Sequence, residues 1–162
     1  MLPDAATERA VRGEWARLAE AGLPSLAAHT APSNRPHVTV AVRDGVDPRD
    51  CEPLVSLLPT RLELGGVLLF GGSGRFVLVR QVVMTAALLD IHRAVAAAVG
   101  PAGERHANTA PDRWTPHVTL GRRLDASQVS VALQILDPSP VVGALEGLRV
   151  WDAAAKVVTT LR

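Results

Sequence analysis

Apolar residues recur at helical spacing through "DAATERAVRGEWARLAEA", residues 4 to 21, where Ala10, Val11, Trp15, Leu18 and Ala19 fall on one face and Gly22 follows as a stop. That pattern predicts an amphipathic helix. Beyond the Pro- and Ser-rich loop "HTAPSNRP" the period shortens to two in "HVTVAVR", a β-branched run with strand character. "DPRDCEPLVSLLP" predicts a short helix opened by Asp47 with Pro48 in its first turn, and "RLELGGVLLF" predicts a strand. "GGSG" at 71 to 74 reads as a hairpin turn into "RFVLVRQVV", where Phe76, Leu78 and Arg80 alternate with Val77 and Val79. A phosphate-cradling loop would instead need that turn to open a helix and carry a Lys-Ser/Thr pair, and it does neither. A long helix from Thr85 to Val99 ends at Gly100-Pro101, and a loop over 101 to 113 leads into the strand "WTPHVTLGRR". "DASQVSVALQIL" predicts a helix capped by Asp125 or Ser127, followed by strands near 141 to 151 and 155 to 162.

The two halves repeat one another. Pro-His-Val-Thr stands at 36 to 39 and again at 116 to 119, whereas the composition predicts roughly 0.003 copies of that tetrapeptide in the chain. Each half runs helix, loop, Pro-His-Val-Thr strand, shorter helix and a Leu-Glu strand, "RLELGGV" from Arg61 and "ALEGLRV" from Ala144. The second half begins with the strand "RFVLVRQVV" before its long helix. The first half begins directly with its helix, so one N-terminal strand is expected to be absent.

At 162 residues and 48% hydrophobic content the chain can bury one core, as a single domain made of two pseudo-repeated lobes, about 1–70 and 74–162. The formal charge is only +1, and all basic residues but Lys156 are Arg, so there is no electrostatic case for duplex binding. Cys51 is the only cysteine, which excludes an internal disulfide framework and fits a reducing compartment; it is expected to be a small buried residue near the start of a helix. The first residues carry charges where a leader peptide needs an apolar core, and no apolar run approaches the ~18 residues that span a bilayer. A cytoplasmic protein with no membrane partner is expected, and nothing points to an oligomer.

On a strand, His37 and Thr39 share one face about 6.6 Å apart while Val38 and Val40 share the other, and His117 and Thr119 repeat the arrangement. A single such strand is better explained structurally, with Thr as a β-former and His as a satisfied polar residue. Packing gives no reason to place His twice, so the pair favours chemistry. Two imidazoles across a cleft suit acid/base catalysis, one taking a proton and the other giving one. Two Thr hydroxyls beside them can donate to nonbridging phosphate oxygens. His29, His92 and His106 lack metal-ligand spacing and are expected to be solvated; no carboxylate flanks either motif, so no metal or cofactor is expected.

The paired His-x-Thr motifs, each followed by an apolar residue in a chain of this size, resemble those of the 2H phosphoesterase superfamily. Within it the chain is similar to the RNA 2′,3′-cyclic phosphodiesterases and bacterial 2′-5′ RNA ligases. The resemblance implies a bilobal α/β (α+β) fold, two antiparallel sheets flanked by helices around a central cleft, and metal-independent hydrolysis of a cyclic phosphate to a 2′-phosphomonoester. It implies that His37 protonates the departing ribose oxygen, that His117 activates water, and that Thr39 and Thr119 bind phosphate. The partner it implies is RNA with a cyclic phosphate end or a small cyclic nucleotide. The family's Arg after the second motif lands on Arg122, whereas strict alternation from His117 puts Gly121 and Arg123 on the cleft face, with Arg43 matching in the first half. Only a twist or bulge turns Arg122 inward. Trp114 and Phe76 are the aromatics available to stack a base, against a competing role in the core. Two other functions stay open on sequence: a noncatalytic binder of RNA ends or nucleotides, and 2′-5′ joining of RNA ends.

Overall fold

A computed structural model describes residues 1–161. After a two-residue strand β1 (Leu2–Pro3), Asp4 caps helix α1 (Ala5–Glu20) by accepting the Thr7 N–H at 2.8 Å. Asp47 opens the short helix α2 (Pro48–Cys51), which continues as a 3₁₀ turn over Glu52–Leu57. The hairpin strands β2 (Thr60–Gly72) and β3 (Arg75–Val82) follow, and then α3 (Ala86–Val99), capped by Thr85. A 3₁₀ segment at Glu104–Thr109 precedes β4 (His117–Leu124). Asp125, not Ser127, caps α4 (Ala126–Ile135), in a reciprocal pairing with Gln128. The last strands are β5 (Val141–Gly147), β6 (Arg149–Asp152) and β7 (Val157–Thr160).

The strands form an antiparallel five-stranded sheet, β1-β5-β2-β3-β4, and a two-stranded sheet, β6-β7. The larger sheet therefore draws on both sequence halves. Helix α1 lies against β4 and β5 and touches α4, while α3 packs on α2, the 3₁₀ turn behind it and β2. Val11, Trp15 and Leu18 of α1 and Leu88, Ile91 and Val95 of α3 are buried in one continuous core with Leu62, Leu64, Leu78, Val118 and Leu120. Among the described residues no helix is long and apolar enough to cross a membrane.

Two expectations about the first half are corrected. The N-terminal strand is not wholly absent, since Leu2 and Pro3 pair with Gly147 and Leu145 of β5. The first motif, by contrast, is extended backbone rather than a laddered strand. Its lateral bonds are a single rung, with the Val38 N–H donating to the Met1 carbonyl at 3.0 Å and the Met1 amine donating to the Val38 carbonyl at 2.7 Å. Alternation still sorts its side chains, leaving Val38 and Val40 buried and Thr39 exposed. A strand needs neighbours for most of its length, and here the neighbour is one residue long.

The core also holds an ion pair that alternation conceals. Arg80 occupies a core position of β3, 1% exposed, and its Nε donates to Oε1 of Glu14 on α1, itself 3% exposed, at 2.9 Å. The remaining guanidinium nitrogens donate to the carbonyls of Gly65 (2.7 Å), Asp137 (2.7 Å) and Ser139 (3.1 Å). Glu14 Oε2 is buried without a partner, and burial pushes the Glu14 carboxyl above its ordinary pKa despite the cation beside it.

Candidate active site

Proline and histidine act together in both motifs. Proline fixes its own φ and constrains the residue before it, which here turns the carbonyl two positions ahead of each histidine toward the ring. His37 Nδ1 lies 2.8 Å from the Arg35 carbonyl, and His117 Nδ1 lies 2.8 Å from the Thr115 carbonyl. A carbonyl can only accept, so Nδ1 carries the proton in each ring and Nε2 is left for chemistry. The two imidazoles are thus oriented by the same local device.

Two tryptophans grip the motif backbones from opposite halves. Trp15 Nε1 on α1 donates to the Thr119 carbonyl at 3.0 Å, and Trp114 Nε1 donates to the Thr39 carbonyl at 2.9 Å. Trp114 is 9% exposed, and one face is stacked on His92 at 4.2 Å between centroids and 9° between planes. Trp114 is therefore a buried strut, not a base-stacking platform. His92, expected to be solvated, is 1% exposed and held below its ordinary pKa by burial, with Nε2 3.2 Å from the Thr109 carbonyl.

The sheet register decides which residues join the histidines. Gln81 pairs with His117 and Val79 with Thr119, but Leu78 then pairs with Gly121, so Leu120 is an extra residue in β4. This bulge reverses the alternation and pairs Arg122 with Val77, which shares a face with Val79 and Gln81. Arg122 consequently lies on the His117 face, and the alternation that favoured Arg123 fails. Arg123 is the extra residue of a second shift, exposed and left-handed at φ 64°. Gly121 is required at the first bulge because a Cβ there would stand 2.3 Å from the Pro24 carbonyl oxygen. Arg43 is not a counterpart of Arg122: it is tied to the carbonyls of Gly100 and Val42 and to Thr109 Oγ1.

The same register corrects the second aromatic expectation. Phe76 pairs with Leu124 and packs against the core. Phe70 pairs with Val77, on the histidine face, and its ring lies 4.8 Å from that of His117 at 56°. Counting by twos along β2 fails to find Phe70 because another register shift lies between Leu64 and Val67. Thr39 is exposed at the surface, while Thr119 is largely buried.

Burial, with the positive charges of the Met1 amine, Arg149 and Arg122, lowers the His37 pKa to about 4, against the raising effect of the Arg35 carbonyl. The contribution of Arg122 brings the second motif's arginine to the first motif's histidine. Arg149 carried no signal in the sequence. Cys51 is buried, and burial pushes its thiol above the ordinary range, away from a nucleophilic role. Among the described residues no group of three His, Cys, Asp or Glu side chains is placed to hold a metal ion.

The low pKa of His37 makes stability pH-dependent. The unfolded histidine binds a proton below its ordinary pKa near 6.5, and the folded one only below about 4. Its stabilising contribution is therefore complete above pH 6.5 and is lost as pH falls through 4, with His92 acting in the same direction. Thermal melts from pH 7 to pH 4 are expected to fall more steeply for the wild type than for His37→Gln; parallel curves would contradict the buried neutral imidazole.

A family model described as the 2′-5′ RNA ligase superfamily matches residues 8–156. No curated protein matches the chain.

Proposed function

The chain belongs to the 2′-5′ RNA ligase superfamily of 2H phosphoesterases, and from that premise we propose that it hydrolyses a 2′,3′-cyclic phosphate on RNA ends or nucleotides to a 2′-phosphomonoester. Membership supports chemistry at a phosphodiester bond. The observation that carries the finer reading is the pair of imidazoles, each fixed through Nδ1 with Nε2 free, on the two copies of one motif.

In the proposed reaction a water oxygen attacks phosphorus as one Nε2 removes its proton, and the bond from phosphorus to the ribose O3′ breaks as the other Nε2–H protonates that oxygen. Arg122 and the Thr39 and Thr119 hydroxyls supply donors for the nonbridging oxygens. The state of His37 supports exchanging the roles that the family resemblance implies. A pKa of about 4 leaves His37 neutral at pH 7, without the proton that an acid must give, so we assign it as the base and His117 as the acid.

The test is to incubate the protein, with a chelator present, with cyclic-ended RNA and with 2′,3′-cyclic nucleotides. The expected product is a 2′-phosphomonoester. A 2′-5′-linked product would assign the protein to end joining, and binding without turnover would make it a noncatalytic binder; either result overturns hydrolysis.

A further inference from the structure

The β6–β7 hairpin and the loop before the first motif enclose an open groove of about 790 Å³, within the ~300–1,000 Å³ of sites that hold small ligands. His29 and Arg35 line it from the loop, and Arg149, Trp151 and Lys156 line it from the hairpin. No carboxylate lines it, although the whole chain is nearly neutral at +1. Arg35 is paired with Glu8, but among the described residues Arg149 and Lys156 have no acidic partner. Trp151 is 48% exposed, in contrast to the buried, hydrogen-bonded Trp15 and Trp114.

The hairpin is a firm support for that ring. Asp152 Oδ1 accepts the N–H groups of Ala154 (2.8 Å) and Ala155 (2.9 Å), which fixes the turn leading to Lys156. Arg149 Nη1 donates to the Ser33 carbonyl at 2.9 Å and joins the hairpin to the loop. The groove also begins at the site: Arg35, on its wall, is the residue whose carbonyl orients His37.

An exposed indole set between unpaired cations matches the alternation of bases and phosphates along a single strand. A polyanion without bases would use the cations and leave the ring idle. We propose that this groove binds the single-stranded RNA leading to the reacting phosphate, with a base stacked on Trp151 and backbone phosphates at Arg149 and Lys156. The inference deepens the function proposed above and rests on it for where the strand ends, and it makes an oligonucleotide the preferred substrate over a mononucleotide.

The probe is a labelled RNA tetranucleotide ending in a 2′-phosphate, titrated by fluorescence anisotropy into the wild type, Trp151→Ala, Trp151→Phe and Lys156→Glu. Stacking of one base predicts that Trp151→Ala weakens binding about 5- to 150-fold. Trp151→Phe, which keeps a ring, is expected to recover most of that loss, and Lys156→Glu to weaken binding and flatten its salt dependence. Equal affinity of the wild type and Trp151→Ala, no binding at all, or equal binding of an abasic ribose-phosphate tetramer would each overturn the groove. If no cyclic phosphate is hydrolysed but Trp151-dependent binding holds, the proposed reaction fails and the groove stands. Hydrolysis with Trp151-independent binding has the opposite meaning.

Discussion

His37→Ala is expected to lower kcat/KM on a cyclic-ended oligonucleotide by about 10²–10⁴, and His117→Ala by a similar factor, because each removes one proton transfer from the same step. That result alone leaves the roles undivided, since loss of either the acid or the base slows the reaction. A 2′-deoxynucleoside 3′-nitrophenyl phosphate divides them. Nitrophenolate departs without a proton, so the acid becomes dispensable while water still needs a base. With His37 as base, His117→Ala is expected to stay within about tenfold of wild type on this ester, and His37→Ala to keep its full loss. The reverse pattern would restore the order implied by the family resemblance. Full activity in both variants would move catalysis away from the motifs.

Arg80→Met is expected to cost about 3–5 kcal/mol in urea denaturation, because it leaves Glu14 buried without its cation and removes donors from three carbonyls. The loss should shrink at lower pH. The Glu14 carboxyl already sits above its ordinary pKa through burial, and without Arg80 it gains a proton more readily. Adding Glu14→Leu to Arg80→Met removes the stranded charge, and the double variant is expected to be more stable than Arg80→Met alone. A single variant within 1 kcal/mol of wild type, or a double variant worse than the single, would show that the pair does not hold α1 on the sheet.

Local signals read well from the sequence and long-range ones did not. The helix starts at Asp47 and Asp125 and the hairpin at 71 to 74 are written in adjacent residues, and the structure has them. The His-x-Thr faces were legible because alternation needs only the backbone. Arg122 was not, because its face depends on the extra residue Leu120, and a bulge is set by the partner strand rather than by the bulged one. Phe70 was hidden by the shift in β2 for the same reason. The burial of His92 and the choice between the two roles of Trp114 depend on their stacking, which joins separate segments of the chain, and nothing local announces that Glu14 will meet Arg80. Exposed Trp151 passed unnoticed, since a tryptophan in a strand reads as core unless the far side of the sheet is known to be open.

The crossed tryptophans set a tolerance for the site. Trp15 and Trp114 each fasten to a main-chain carbonyl, so the spacing of the motifs is gauged from the backbone and is indifferent to what the threonine side chains do. Each gauge is anchored in the half opposite to the motif it measures. A shift of either half therefore moves both jaws of the same caliper, and an error in the reach between the two imidazoles is shared between the halves instead of falling wholly on one of them.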